Sequence, residues 1–309
     1  MDGIQPGWLP GSFRDWTYHG KIIDDHVHVN TSGSMMGIFT RVAASFGITT
    51  IGAITRGFSW VDRVLPGSTI GTFMIPRLVG ARASDVESVA GEGARGVKFW
   101  YGSSYFHGKK RIDTPANVSL MREIGNAGLV IVMHVSDPDT WHEKHYPKRF
   151  YGTKQEIRGQ ATWLAEQCPG TRFLLVHMGG NPEDPDGLAE LLDRHDNVYL
   201  DTSATKWVSR ELSRNRDAAR ALFKAHPDRI LFGSDITMPP WGQGELTVEE
   251  FFASRYLVQR LMLEHDGAFR SPIDDPDNEG NVPLHGLSLN KSILERVYEA
   301  NATRLFKLA

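Results

Sequence analysis

The run Ile22–Val29, IIDDHVHV, reads as a buried strand that carries metal-capable side chains, and this reading decides the fold. Alternate residues of a strand share a face, so Asp24, His26 and His28 are expected together, with both imidazoles free to converge on one ion. His-x-His is a short motif. In a chain with 12 histidines among 309 residues it needs support from elsewhere before it means chemistry.

Three later stretches repeat the pattern. LVIVMHVSD brings His134 to the end of an apolar run, TRFLLVHMGG does the same for His177, and RILFGSD for Asp235. Each run gives way at once to Gly, Ser or Asp, which places each donor at the C-terminal end of a strand. Strand-like runs at about 22–29, 48–54, 69–75, 96–101, 129–134, 172–177, 197–202 and 230–235 alternate with helix-like stretches such as PANVSLMREIGNAG and IRGQATWLAEQCPG. Eight alternations predict an α/β fold, a closed (β/α)8 TIM barrel rather than an open doubly wound sheet. No GxGxxG follows the first strand to favour a dinucleotide-binding fold. Barrel enzymes keep their chemistry at the C-terminal ends of the strands, where His26, His28, His134, His177 and Asp235 are placed.

With these motifs the chain resembles the amidohydrolase superfamily, in its amidohydrolase-2 branch of metal-dependent hydrolases and decarboxylases. The resemblance rests on D-x-H-x-H (Asp24, His26, His28), GVKFW with Lys98, His134, VHMGG with His177, NVYLDTSA, DRILFGSD with Asp235, and the closing NATRLF. It covers residues from about 20 to 308. It implies a divalent metal, Zn²⁺ by preference, held by His26, His28, His134 and Asp235, with Asp235 also moving the proton of the attacking water to the leaving group. His177 is then either free to bond substrate or water beside one metal, or a ligand to a second metal bridged by a carboxylated Lys98. One metal per chain is the expectation and two the alternative. An ion with an open coordination position lowers the pKa of bound water from 15.7 towards about 7. The implied activity is hydrolysis of a small amide, lactone or ester-like substrate. The alternative is non-oxidative decarboxylation of an aromatic or unsaturated carboxylic acid, and a non-catalytic metal-binding barrel is a third reading.

The segment 136–154, SDPDTWHEKHYPKRFYGTK, is long for a βα loop and rich in aromatics and bases. Trp141, Lys144, Tyr146, Lys148, Arg149 and Tyr151 are therefore expected to enclose a substrate, anionic or aromatic, with an oligomer contact as the alternative role. Lys98 and Trp100 are expected to face the substrate, with Tyr101, Tyr105 and Trp241 as further wall residues. Asp201 either orients a ligand or touches substrate. Gly179 and Gly180 either let the backbone pass close to the site or make an ordinary tight turn.

A chain that is 40% hydrophobic and 23% charged can bury one large core. One domain over 1–309 is expected, with a helical extension after the eighth strand that includes TVEEFFASRYLVQRLMLEHD. The net charge of −3, with no basic stripe, argues against a nucleic-acid partner. The opening MDGIQPGWLPGSF has no apolar core and no 18-residue apolar stretch follows, so a soluble cytoplasmic protein acting on a small molecule is expected, with no membrane contact. Cys168 is the one cysteine, which excludes an intramolecular disulfide and a multi-cysteine zinc site; it reads as a buried residue at a helix end.

Overall fold

In the computed structural model, residues 16–30, 34–56, 69–77, 82–100, 111–146, 148–240, 244–278 and 282–309 are described. The strands β1 (Ile22–Val29), β2 (Ile48–Arg56), β3 (Gly71–Arg77), β4 (Gly96–Trp100), β5 (Val130–His134), β6 (Phe173–Leu175), β7 (Val198–Asp201), β8 (Ile230–Leu231) and β9 (Ile236–Met238) form one parallel sheet in chain order. β9 returns to pair with β1. Of the eighth strand expected at 230–235, only Ile230–Leu231 forms a strand, β8, and β9 begins beyond a gap at 232–235. Across that gap the Asp25 N–H donates to Phe232 O at 2.9 Å and the Asp235 N–H to His26 O at 2.8 Å, so the ring closes as an α/β barrel.

Helices cover the outside, beginning with α1 (Ser34–Ser45), α2 (Ala83–Gly91), α3 (Pro115–Asn126), α4 (Asp139–His145), α5 (Lys148–Tyr151) and α6 (Lys154–Gln167). There follow α7 (Pro185–Arg194), α8 (Thr205–Arg214), α9 (Arg216–Ala225) and α10 (Val248–Glu264), then α11 (Lys291–Glu295) and α12 (Asn301–Phe306) joined by a π turn at Arg296–Ala300. Several start on side-chain caps. Thr153 and Glu156 close a capping box on α6, and Thr247 and Glu250 do so on α10.

Period-two alternation builds the barrel interior in layers. Ile54, Ile75, Val130, Val132 and Leu174 fill the end away from the site, where Phe306 of α12 packs on Phe73 with ring centroids 4.5 Å apart. The next inward positions along the same strands are Arg56, Arg77, Lys98 and His134, in registers Arg56↔Arg77, Arg77↔Lys98 and Trp100↔His134. The apolar core thus ends where the polar chamber begins.

β1 departs from simple alternation. Asp24 pairs with Ile51 and Val27 with Ala53, so three residues advance against two across this stretch. His26 and His28 do share a face, but Asp24 does not join them. Its carboxylate accepts from Ser234 N–H at 2.9 Å, Ser234 Oγ at 2.6 Å and Tyr256 Oη at 2.9 Å, the last from α10 outside the sheet. Among the described residues no helix is long and apolar enough to cross a membrane.

Candidate metal centre

His26 Nε2, His28 Nε2 and Asp235 Oδ1 meet at the C-terminal mouth of the barrel. The two imidazole nitrogens are 3.3 Å apart, and the Asp235 oxygen is 3.3 Å from His26 Nε2 and 3.1 Å from His28 Nε2. Donors about 2.1 Å from one ion lie roughly 3.0–3.4 Å from one another in octahedral or tetrahedral geometry, so the spacing fits a shared cation. His177 belongs to the same cluster: donor atoms of His26, His177 and Asp235 all fall within 4.8 Å of one another. The His134 ring stands at 5.0 Å from the His177 ring. His134 Nε2 is buried with no hydrogen-bond partner, and lies 3.6 Å from Asp137 Oδ2. Neutral imidazoles, a carboxylate and an orphaned buried nitrogen suit a divalent transition metal.

The residues behind the donors fix their tautomers. His26 Nδ1 lies 3.1 Å from Asp201 Oδ2; a proton there leaves the Nε2 lone pair facing the centre. Ser203 Oγ donates to Asp201 Oδ1 and sits 2.7 Å from His177 Nδ1, which gives His177 the same orientation. Asp201 also accepts the His177 N–H at 2.7 Å. One carboxylate therefore orients both rings, and of the two roles the sequence left open for Asp201, these contacts are the orienting one. Ser203 went unmarked in the sequence, although it stands in the same LDTSA motif.

Backbone strain accompanies this arrangement. Asp235 has φ 58°, and the chain from His177 to Gly180 makes a left-handed turn with φ values of 58°, 51°, 60° and 67°. Left-handed backbone costs a non-glycine residue roughly 1–2 kcal/mol, and strain of this kind gathers at functional sites. Strand β6 ends at Leu175, so His177 projects from this turn rather than from the strand as expected.

Burial governs the electrostatics. It pushes His177 down to about 3, and His26 and His28 also lie below the usual imidazole range, first through desolvation. Asp235 is raised by burial, but the hydrogen bond from His28 and the neighbouring imidazoles outweigh this and hold it well below the carboxylate range. Burial brings Lys98 down to about 8 against the pull of Asp235 and Asp201, and its Nζ lies 3.3 Å from His26 Nε2.

The donors open on a chamber of about 640 Å³ whose walls include Arg56, Arg77, Trp100, Trp141 and Tyr146. A smaller cavity of about 240 Å³, lined by Phe251 and Arg255, meets it at Trp141, Trp207 and Asp235. The Trp141 and Trp207 rings pack with centroids 4.8 Å apart, tilted 37° to one another. The rest of the expected lid is placed differently. Segment 136–154 contains α4 and α5 rather than a structureless loop. Lys144 is exposed and pairs with Asp277, and Lys148 and Arg149 are exposed on α5 and do not line the chamber. Tyr101, Tyr105 and Trp241 lie outside the described residues, as does the side chain of Tyr151. Arg56 and Arg77 were missed.

Fold and site together define a barrel enzyme with a metal-capable centre at the strand ends. The amidohydrolase-2 family model, Amidohydrolase, matches residues 12–308, and the chain belongs to this family. Similar solved structures share the fold. A dihydroorotase from Campylobacter jejuni aligns at TM-score 0.59 and 14% identity, over 94% of this chain and 84% of that one. A probable 2-pyrone-4,6-dicarboxylic acid hydrolase from Acinetobacter baumannii aligns at 0.54 and 12%, over 93% and 99%. The 5-carboxyvanillate decarboxylase of Sphingomonas paucimobilis aligns at 0.57 and 11%, over 94% and 99%. A search of curated proteins finds no match.

Proposed function

We propose that this enzyme is a metal-dependent hydrolase of a small amide, lactone or ester-like substrate. The observation that carries the reading is the convergence of His26, His28 and Asp235 on one point, within 3.3 Å of one another, at the floor of an open chamber. In this reading His26, His28, Asp235 and the Nε2 of His134 hold one divalent ion, Zn²⁺ by preference. When bound, the ion supplies a water acidic enough to ionise near neutral pH. With the ion bound, Asp235 would take up the proton of the attacking water and pass it to the leaving group. His177 keeps its Nε2 lone pair towards the chamber, because Ser203, itself bonded to Asp201, holds its Nδ1, and it accepts a hydrogen bond from water or substrate. Asp201 positions both rings and touches neither substrate nor water.

Decarboxylation is the second reading. Lys98 and Arg77 beside the donors would hold a carboxylate next to the metal, as loss of CO₂ requires. The two readings part on products. Zinc-loaded enzyme is screened on small lactones, amides and aromatic acids in ¹⁸O water, with mass analysis of product and measurement of CO₂. Hydrolysis puts one ¹⁸O into the product, and Asp235→Asn lowers turnover by roughly 10² to 10⁴. CO₂ release without label overturns the hydrolase assignment.

A further inference from the structure

We propose that Arg56 and Arg77 form an anion subsite that takes a carboxylate of the substrate, at one side of the metal centre. The inference rests on the chamber being the active site, and it goes beyond that reading by naming what the substrate must carry. Arg56, Arg77 and Lys98 are direct neighbours across β2, β3 and β4. Adjacent strands lie about 4.8 Å apart, so the three cations make a ladder whose backbone spans about 10 Å. It starts at the donors, where Lys98 Nζ is 3.3 Å from His26 Nε2, and ends at the exposed Arg56.

Among the described residues no carboxylate forms an ion pair with Arg56 or Arg77. The buried arginines contrast with this, since Arg210 pairs with Glu211 and Asp275, and Arg260 with Glu264. Arg77 Nε is buried without a hydrogen-bond partner. Its Nη2 lies 3.4 Å from His28 Nδ1, a contact that needs an unprotonated Nδ1. A His28 that gives its Nε2 lone pair to a metal must carry its proton on Nδ1, and then Arg77 loses this acceptor too. A charged guanidinium stripped of acceptors in a half-buried wall calls for one from the ligand, and a carboxylate matches its fork. Trp141 and Trp207, which pack together in the wall of the same chamber, suit the apolar or unsaturated body of the same molecule. The substrate class is therefore a carboxylate whose reacting bond lies one or two strand spacings from the anionic group.

Binding tests this without a known substrate. Zinc-loaded protein is titrated calorimetrically with glutarate, with its neutral diamide, and with butyrate, whose one carboxylate reports the zinc's own share. Glutarate is expected to bind at least tenfold more tightly than the diamide. Arg77→Gln and Arg56→Gln should each weaken glutarate by roughly tenfold while zinc content and butyrate binding stay unchanged, and the exposed control Arg194→Ala should leave glutarate binding as it was. Unchanged glutarate affinity in both variants, or a loss confined to Lys148→Ala/Arg149→Ala, overturns the subsite. Arginine-dependent glutarate binding in a protein that takes up no zinc would keep the subsite and discard the metal reading. Zinc uptake with arginine-independent binding would do the reverse.

Discussion

His177 shows how much of the centre is decided by burial at a single residue. The unfolded chain takes up a proton on this ring near pH 6.5, whereas the folded ring resists until about pH 3. Between those values the unfolded state binds more protons, so this residue's share of stability falls as pH falls, by up to about 1.4 kcal/mol per unit. Asp24 opposes it. Burial raises that carboxyl to about 7, so the folded state holds a proton the unfolded chain has lost, and stability falls as pH rises through the same window. The wild-type curve mixes both effects, but a comparison with His177→Asn isolates the ring. In metal-free protein the unfolding free energy of the wild type, relative to this variant, is expected to drop as pH goes from 6.5 to 4. Urea titrations of both proteins at four pH values measure it, and a constant difference would remove His177 from the acid response.

At the level of elements, the turn after β6 holds His177 against the next strand. Gly179 and Gly180 both take left-handed φ, as a tight turn requires, and at Gly180, with φ 67°, a Cβ would stand 2.5 Å from the Ser136 carbonyl oxygen. Gly180→Ala is expected to cost about 1–3 kcal/mol of stability and to weaken zinc binding by displacing His177. Gly159→Ala, in open space within α6, should be neutral or stabilising by about 0.5–1 kcal/mol. Denaturant melts and zinc titrations of the two variants check this, and equal behaviour would show the turn to be slack. The same elements mark what the sequence could convey. Apolar runs located the barrel strands and the donors at their ends, because a parallel strand buried on both faces is a continuous hydrophobic run. Two strands were drawn to 54 and 75, where the apolar run stops, but β2 and β3 continue to Arg56 and Arg77. The alternation that places His134 two residues beyond Val132 places these arginines two beyond Ile54 and Ile75. The extra residue in β1 and the break between β8 and β9 depend on contacts with Ser234, Tyr256 and Phe232, which lie more than 200 residues from β1 and leave no local trace.

In the whole molecule the centre sits on the seam where the barrel closes. His26 and His28 come from β1, and Asp235 from the connection between β8 and β9. Besides the β1–β9 ladder, the backbone hydrogen bonds that cross there are Asp25 N–H to Phe232 O, Asp235 N–H to His26 O and Asn30 N–H to Met238 O. An ion shared by His26, His28 and Asp235 would join the first strand to the last, so binding should tighten this seam more than the rest of the ring. Ligand that binds only the native state adds stability by mass action, about 2.7 kcal/mol at a free concentration one hundred times Kd. Opening of the seam and global unfolding both separate the donors, so both are expected to rise by this same amount, while local openings elsewhere that leave the donors together should not respond. Hydrogen exchange followed by mass spectrometry over a zinc titration measures this on peptides covering 22–29 and 230–238. Protection there should rise with zinc, with little change in 154–167 on the outer layer where local opening leaves the donors together, and His26→Ala should abolish the response. A uniform rise across all peptides would mean that the metal reports on the fold as a unit, and that the seam is as firmly closed as any other pair of strands.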